Sequence, residues 1–166
     1  MDARIKSGHD GRASMNRSFT LRRYRPDDED AAMALWLKTW QQTYSSIDFA
    51  ARVPWWRERW RNELVPNAAI IVAEEGLALV GFVTIDTHAY LDQLVVAPER
   101  WGSKLADALV DEAKRISPDT ITLLVNDDNA RAIRFYERNG FVRAGHDVNP
   151  TSGRPVLKMI WKSGAV

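Results

Sequence analysis

The stretch that most constrains the fold of this chain runs from Tyr90 to Ile116 and reads YLDQLVVAPERWGSKLADALVDEAKRI. It opens with an apolar run typical of a buried strand, which Pro98 ends. Gly102 and Ser103 then lead into a helix, because apolar residues recur there at helical spacing: Leu105, Leu109, Val110, Ala113 and Ile116. The unpaired N–H groups at the start of such a helix favour a bound anion.

A second stretch, NDDNARAIRFYERNGF from Asn126 to Phe141, adds a pattern that an ordinary strand, loop and helix would lack. Together the two stretches resemble the GNAT superfamily of acyl-CoA-dependent N-acetyltransferases. One family pattern is Asn, x, x, Ala, x, x, x, Tyr and then Gly-Phe. The chain matches it with Asn129, Ala132, Tyr136 and Gly140-Phe141.

The other family pattern is an apolar strand end and Pro, then Gln or Arg, two residues, Gly, one residue, and Gly or Ala at the start of a helix. Aligned on the proline, it covers Trp101 to Ala106, and Ala106 matches the final small position. Trp101 stands where Gln or Arg is usual, and Lys104 stands where Gly is usual. We expect the Lys104 side chain to turn outward and add a positive charge beside the phosphates.

The whole chain bounds the fold and the partners. Its 166 residues suffice for one domain with its own core. Residues 1–17 are polar and aperiodic, so we expect a flexible N-terminal lead followed by a single N-acetyltransferase domain over residues 18–166. The net charge of +1 gives no footprint for nucleic acid or an anionic membrane, and no apolar run approaches the ~20 residues of a membrane helix.

The chain has no cysteine, which excludes disulfides, thiolate metal sites and a cysteine nucleophile and suits a reducing compartment. We therefore expect a cytoplasmic protein without a metal site. A homodimer is left open.

The order of elements predicts an α/β (α+β) fold. Strands are expected at residues 19–24, 68–73, 77–86, 88–97, 120–125, 141–148 and 156–161. Helices are expected between Pro26 and Tyr44, from about Ile47 to Leu64, from Ser103 to Ile116, and from a cap at Asp127 or Asp128 to Asn139. The resemblance implies the GNAT fold: a central mixed, mostly antiparallel, twisted sheet of six to seven strands, flanked by about four helices, with a splayed parallel strand pair.

Five of the seven tryptophans lie between residues 36 and 60. One interpretation is that they pack the first two helices onto the sheet, together with Ala31 and Leu35. The resemblance to the GNAT superfamily, however, implies that these helices form one wall of the acceptor site. One or two of Trp40, Tyr44, Trp55 and Trp56 would then line an apolar or aromatic pocket, and the hairpin tip at residues 149–154 is a second candidate wall.

Acyl transfer from a thioester to an amine requires a site that holds the carrier, stabilises the oxyanion and moves protons. The resemblance places the carrier's pyrophosphate on the main chain before the central helix. The residues predicted to bind it are Arg100, Trp101, Gly102, Ser103, Lys104, Leu105 and Ala106. Arg100 is either a phosphate partner or a solvated loop arginine.

The resemblance also implies that two parallel strands part at one end and admit the pantetheine arm. The amides of Leu94, Val95 and Val96 would bond the arm as another strand would, and one of them could face the thioester oxygen. Asn129 either offers its amide to the same arm or caps the helix that follows it.

For the proton transfers, the resemblance carries Tyr136 over as the general acid, against the alternative that it packs its helix on the sheet. Asp92 is the best-placed carboxylate for a general base, although an ordinary strand acid is equally consistent with the pattern. His88 and His146 are the other candidates.

The leading hypothesis is an N-acetyltransferase that moves the acetyl group of acetyl-CoA directly to a primary amine of a small molecule or peptide, without an acyl-enzyme. The alternative is a non-catalytic acyl-CoA-binding or regulatory domain, suggested by the departures at Trp101 and Lys104. A nucleotide-binding domain is not supported, since neither phosphate-loop glycine pattern is present. The identity of the acceptor is left open.

The role of Lys104 is testable by calorimetry with coenzyme A over a range of salt concentrations. If the ammonium group lies beside the phosphates, Lys104→Gly weakens binding and lessens its salt dependence, because one favourable charge contact is lost. Tighter binding in the variant would show that the side chain obstructs the loop instead.

Overall fold

The computed structural model describes residues 4–6 and 19–164, which form eight β-strands and five α-helical segments. The strands are β1 Arg4–Lys6, β2 Thr20–Arg23, β3 Ala68–Glu75, β4 Ala78–Asp86, β5 Leu91–Val96, β6 Thr120–Asn126, β7 Val142–Val148 and β8 Pro155–Lys162. The helices are α1 Glu29–Thr43, α2 Val53–Arg59, α3 Val65–Asn67, α4 Leu105–Ile116 and α5 Ala130–Arg138. Within these residues no helix is long and apolar enough to cross a membrane.

The strands form two antiparallel sheets that meet at one point. The larger has the order β1-β2-β3-β4-β5, and the smaller has the order β6-β8-β7. They are joined by a single parallel bridge between Tyr90 and Thr122, where the Thr122 amide donates to the Ala89 carbonyl at 2.9 Å. The predicted fold and splayed strand pair are confirmed, with the difference that the strands part so early that the sheet divides in two.

A β-bulge in β5 accounts for this early parting. Leu91 lies opposite Ile85 and Gln93 lies opposite Thr84, so Asp92 is an extra residue without a partner on β4. The Gln93 amide donates to the Thr84 hydroxyl at 3.0 Å instead of extending the ladder. A bulge bends and twists its strand, and β5 therefore turns away from β6 just after the bridge.

The tryptophans divide between the core and the surface. Trp36, Trp56 and Trp60 are at most 5% exposed. Trp36 stacks on Trp56 with ring centroids 5.0 Å apart, and Trp60 meets the ring of Phe82 on β4 edge-on at 5.2 Å. The interpretation that the tryptophans pack the first two helices onto the sheet is thus confirmed for these three rings. On α1 the neighbouring prediction was wrong for Ala31, which is exposed because the buried stripe runs through Ala32.

The second helical region differs from its predicted span of residues 47–64. It begins with a short 3₁₀ turn at Ala50–Arg52, continues as α2, widens into a π-turn at Trp60–Leu64 and ends as α3. The Val65 amide donates to the Trp60 carbonyl, five residues back. This wider turn makes room for Pro66, which lacks an N–H group and would crowd a regular helix. The connector expected at residues 65–67 is therefore a last helical turn.

The predicted N-terminal lead falls mostly outside the described residues. Within it, Arg4–Lys6 pairs with β2 in antiparallel register, with Ile5 opposite Leu21. For the rest of residues 1–17 the flexible lead stays a prediction.

A buried ion pair fixes β2 to the start of α1. The Arg22 guanidinium, 2% exposed, donates to both carboxylate oxygens of Asp28 at 2.8 Å and to Glu74 at 3.2 Å. Asp28 also accepts the Arg25 amide at 2.8 Å. Burial alone would raise the pKa of Asp28, but the hydrogen bonds from Arg22 and Arg25 outweigh it and lower the pKa.

We expect Asp28→Asn to lower the free energy of unfolding by about 3 kcal/mol, because it leaves a buried guanidinium with one carboxylate partner. The folded-state pKa of Asp28 lies below its unfolded value, so this contribution is present at neutral pH and is lost as the pH falls below about 4. Urea unfolding at neutral and acid pH measures it. The matched control is Glu99→Gln, which breaks the exposed Lys38–Glu99 pair and should cost less than about 1 kcal/mol. Equal losses in both variants would contradict the assignment.

Candidate active site

A cleft of about 990 Å³ opens where β5 and β6 part. We name the two ends of the cleft after the elements that form their walls. The helix end is formed by β5, the loop at residues 97–104, and the starts of α4 and α5, whereas the aromatic end is formed by α1, α2 and the tip of the β7–β8 hairpin.

β5 is the edge strand of its sheet and presents backbone groups to the helix end. The Ala97 amide donates to the Val80 carbonyl at 2.9 Å, and the direction of backbone bonding alternates along a strand. Val95 therefore bonds to β4 as well, whereas Leu94 and Val96 direct their N–H and C=O groups into the cleft. The predicted strand-like contact is thus available at two of the three residues, since the Val95 backbone is already paired.

Trp101, the first departure from the family pattern, covers the end of this edge. Its indole Nε1 donates to the Val96 carbonyl at 2.9 Å. The Arg131 guanidinium lies over the indole ring at 3.9 Å from its centroid. The Val96 carbonyl is therefore satisfied within the chain, while the groups of Leu94 and the Val96 amide remain open to the cleft.

The loop before α4 has unpaired amides. Gly102 has φ +80°, a left-handed conformation that favours glycine. The amides of Gly102 and Lys104 make no backbone hydrogen bond to any described residue. The Ser103 hydroxyl accepts the Leu105 amide at 3.3 Å, and the next amide, of Ala106, is one of the unpaired N–H groups at the helix start. An anion fits these groups electrostatically.

Two charged residues of the loop differ in their relation to the cleft. Arg100 lines the cleft, but its guanidinium forms an ion pair with Glu75 at the end of β3. Lys104 is exposed and lines a second cavity, which shares residues 100–103 with the cleft, but it does not line the cleft itself. A charge contact between its ammonium group and the phosphates stays a prediction.

Three arginines on α5 were missed by the sequence analysis. Arg131, Arg134 and Arg138 line the helix end of the cleft, and none has a carboxylate partner among the described residues. Their spacing of three and four residues puts them along one face of the helix. That spacing, next to the matched Ala132 and Tyr136, was the signal available in the sequence.

Asn129 begins α5 and has a dual role. Its side-chain oxygen accepts the Ala132 amide at 3.2 Å, so Asn129 is the N-cap and the predicted cap at Asp127 or Asp128 was wrong. An asparagine has two further donors on its side-chain nitrogen, which bond to no other described residue. The cap fixes the side chain at the cleft wall and leaves that nitrogen available.

Tyr136 is buried, at 8% exposure, and lies between the rings of Phe135 and Phe141 at centroid distances of 5.4 and 5.5 Å. Its hydroxyl makes no hydrogen bond to the described residues, and the side chain lines the cleft. Burial and, to a smaller extent, the nearby Tyr90 raise the pKa of the phenol above its ordinary value. The group is therefore protonated at neutral pH and can donate.

Asp92, the bulge residue, is held by α2. Its two carboxylate oxygens accept hydrogen bonds from the two terminal nitrogens of Arg59 at 3.0 and 2.5 Å. Asp92 Oδ1 also accepts a hydrogen bond from the side-chain nitrogen Nε2 of Gln93 at 3.0 Å. The hydrogen bonds to Asp92 raise the pKa of Arg59, whose guanidinium lies 5.6 Å from the centroid of the Trp56 ring. Asp92 would have to give up this paired geometry to accept a proton.

The alternative bases lie elsewhere, since neither His88 nor His146 lines the cleft. At the aromatic end, Trp40 stacks on Tyr44 and Phe49, each at 6.0 Å, and Trp55 is 46% exposed. The expected aromatic wall is therefore present.

A long thioester carrier that ends in phosphates suits this cleft: unpaired amides and arginines for the phosphates, a strand edge for the amide-bearing arm, and a buried phenol. These features define an acetyl-CoA-dependent acetyltransferase. The chain belongs to the acetyltransferase (GNAT) family, whose model matches residues 29–141.

Relatives and solved structures agree with the family. The chain is 27% identical to the peptidyl-lysine N-acetyltransferase YjaB of Salmonella typhimurium, over 86% of this chain and 98% of that protein. It is 32% identical to the mycothiol acetyltransferase of Acidimicrobium ferrooxidans, over 77% of this chain but 45% of that protein. The fold matches that of PaiA N-acetyltransferase from Thermoplasma acidophilum in complex with coenzyme A, with TM-score 0.71, 24% identity, and coverage of 87% of this chain and 99% of that one. The predicted family, activity and use of acetyl-CoA are confirmed.

The Asp92–Arg59 pair yields a test of the general-base prediction. If the pair orients the bulge, Asp92→Asn and Arg59→Gln each lower kcat/KM by about tenfold, and the double variant is no worse than either, because the two residues act as a unit. A general base would instead lose about 10²–10⁴-fold with Asp92→Asn alone. Thiol release from acetyl-CoA measures the rates, with Glu137→Gln, which breaks the surface pair with Arg143, as the control.

Proposed function

We propose that the acetyl group passes directly from acetyl-CoA to a primary amine within a ternary complex, on a single domain of residues 18–166. The chain has no cysteine. The Ser103 hydroxyl is engaged with the backbone on both sides, donating to the Arg100 carbonyl at 2.6 Å. The cleft therefore offers backbone and proton-donor groups rather than an activated nucleophile, and this supports a mechanism without an acyl-enzyme.

The phosphates of the cofactor are assigned to the helix end. The amides of Gly102, Lys104 and Ala106 provide donors on one side. Arg134 and Arg138 provide unpaired charges on the other. Because a guanidinium binds phosphate oxygens in pairs and a helix start favours anions, the two walls together suit a multiply charged group better than either alone. The side chains of Arg100 and Lys104 would be supporting charges at most, since Arg100 is paired with Glu75 and Lys104 does not line the cleft.

The observation that carries the proposal is the parted β5 edge. An extended amide-bearing arm can bond to Leu94 and Val96 as a further strand would, which places its thioester near the bulge. The Asn129 side-chain nitrogen lies on the opposite wall and suits a carbonyl of the same arm. One of the β5 amides near the bulge then stabilises the oxyanion.

In the chemical step, the amine lone pair attacks the thioester carbonyl carbon and the carbonyl becomes an oxyanion. The C–S bond then breaks, and Tyr136 donates its proton to the leaving thiolate. The acceptor nitrogen, which became positively charged on attack, loses one proton to water, and the Tyr136 phenolate regains a proton from water, so that the neutral amide and the free thiol result. A phenol with pKa near ~10 protonates a thiolate of pKa near ~8.5 at a cost of about 2 kcal/mol. Burial adds to this cost by raising the pKa of Tyr136, but it disfavours the thiolate in the same way.

The acceptor must arrive with a neutral amine. An α-amino group costs about 1 kcal/mol to deprotonate at pH 7, against about 4.6 kcal/mol for a lysine-like amine. Because Asp92 is paired with Arg59, an acceptor of low pKa suits the cleft better. The activity in the name of the Salmonella relative, a peptidyl-lysine N-acetyltransferase, supports a peptide lysine, whereas the aromatic lining of the cleft supports a small molecule.

Two further parts of the proposal rest on the sequence. A cytoplasmic location is supported by the cysteine-free composition, which suits a reducing compartment. A homodimer stays a prediction, to be measured by light scattering of the purified chain.

The function is tested by incubating the protein with acetyl-CoA and a panel of amines while free thiol is measured, with product identity confirmed by mass. Amine-dependent thiol release is expected. Binding of acetyl-CoA without any turnover would instead support the alternative of a non-catalytic acyl-CoA-binding domain.

Tyr136→Phe should lower kcat by about 10²-fold, because the leaving thiolate loses its proton donor. The Kd for acetyl-CoA, measured by calorimetry, should stay within about twofold, since the ring and its packing against Phe135 and Phe141 are kept. An equal loss in both quantities would make Tyr136 a binding or packing residue.

A further inference from the structure

Three side chains from distant parts of the chain meet at the aromatic end of the cleft. The Tyr44 hydroxyl donates to Asp128 Oδ1 at 2.8 Å, and Arg154 Nη2 donates to Asp128 Oδ2 at 2.9 Å. The Arg154 guanidinium also lies over the Tyr44 ring, 4.4 Å from its centroid. We call Tyr44, Asp128 and Arg154 the bridge, because they connect the end of α1, the β6–α5 loop and the β7–β8 hairpin.

Tyr44 and Arg154 are each held by further contacts within their own segment. Tyr44 stacks on Trp40, and its amide donates to the Trp40 carbonyl at 2.9 Å. Arg154 closes the hairpin tip, where its carbonyl accepts the Asn149 amide at 2.8 Å. Burial and, to a smaller extent, the hydrogen bond to Asp128 raise the pKa of Tyr44 to about 12. The hydroxyl therefore stays protonated at neutral pH and can donate this hydrogen bond. The contact is therefore a built feature of both walls.

The bridge joins opposite walls of the cleft. Tyr44 and Arg154 both line it, one from the α1 side and one from the hairpin side, and Asp128 ties them together. A polypeptide that lay along the cleft would need the walls apart over its whole length. At the bridge it would have to break an ion pair and a hydrogen bond, whereas a compact ligand ends before that point.

The charges at this end also limit the acceptor. Among the described residues that line the cleft, Asp92 and Asp107 carry the carboxylates; both lie on elements of the helix end, and Arg59 occupies Asp92. Asp128 is occupied by Tyr44 and Arg154. Among these residues, no carboxylate is left at the aromatic end to hold a second ammonium group, while the rings of Trp40 and Trp55 offer apolar surface.

We propose, on the basis of the proposed function, that the bridge restricts the acceptor to a small-molecule primary amine with an apolar or aromatic body and no second cationic group. It excludes a lysine within a longer polypeptide. Tyr44, Asp128 and Arg154 are positioning residues for this selection and take no part in the transfer.

A matched pair of acceptors tests the size limit without changing the amine. The first is Nα-acetyl-lysine methylamide, and the second is an undecapeptide with the same lysine at its centre. We expect kcat/KM for the short acceptor to exceed that for the peptide by about tenfold or more in the native protein, with the difference in KM. A ratio near one would overturn the proposal. A small aromatic monoamine should in turn exceed an aliphatic diamine of similar size, and the reverse order would overturn the part that concerns charge.

Variants of the bridge residues provide the second experiment. Asp128→Ala releases both partners and should reduce the size ratio about tenfold by lowering the KM for the peptide, while kcat for the short acceptor changes less than about twofold. Tyr44→Phe keeps the ring and should give an intermediate ratio, and Asp128→Glu should restore selection in part. The control is Glu137→Ala, which breaks a surface ion pair outside the cleft. Thermal unfolding checks that each variant is folded, and a ratio unchanged in folded Asp128→Ala would refute the role of the bridge.

Failure of the proposed function gives a different result. If no amine is acetylated although acetyl-CoA binds, the transferase proposal fails. The size limit is then read from equilibrium binding of the same two acceptors to the coenzyme A complex, followed by tryptophan fluorescence from the aromatic end. Tighter binding of the short acceptor in the native protein, lost in Asp128→Ala, supports the bridge, and equal binding overturns it.

Discussion

The parting of β5 from β6 is the constraint on which the site depends. An edge strand with unpaired N–H and C=O groups is ordinarily covered or blunted, because it invites pairing with another chain. Here the bulge at Asp92 turns the edge inward, so that its groups face a cleft instead of solvent. The cost of leaving them unpaired is offset when an extended amide-bearing ligand supplies the missing strand. The proposed cofactor site therefore arises from an interruption in the protein's own sheet.

The same bulge connects the two ends of the cleft. Asp92 is released from the β4 ladder and is therefore free to reach Arg59, whose guanidinium lies over Trp56 in the core. The aromatic end is thus fixed to β5, the strand proposed to hold the thioester. A shift in α2 would be transmitted to β5, and for this reason the ion pair is better understood as a support for geometry than as an independent proton acceptor.

The sequence predicted what depends on neighbours along the chain. Pro98, the loop glycine and the pattern from Asn129 to Tyr136 specify local backbone, and local backbone decides where amides point. It could not predict the ion pairs Arg100–Glu75, Arg59–Asp92 and Arg154–Asp128, because each joins segments brought together by tertiary packing. For this reason Arg100 was left open between a phosphate partner and a solvated arginine, and Asp127 or Asp128 was expected to cap a helix, whereas Arg100 and Asp128 each form an ion pair with a distant residue. The arginines on α5 were predictable in principle, since their spacing of three and four residues places them together on one face of the helix.

Trp101 shows how a departure from a family pattern can fit the same chemistry. Once β5 is an edge, the Val96 carbonyl points into the cleft, and a buried carbonyl without a donor costs about 1–3 kcal/mol. The indole of Trp101 supplies that donor, and Arg131 covers the face of the ring, so the loop before α4 is tied to α5 across the helix end. The strand-like contact for the arm is thereby confined to Leu94 and the Val96 amide, closer to the bulge. The tryptophan at position 101 connects the loop to α5 within the protein itself. With a glutamine or arginine at this position, the same connection would have to be made through the bound ligand.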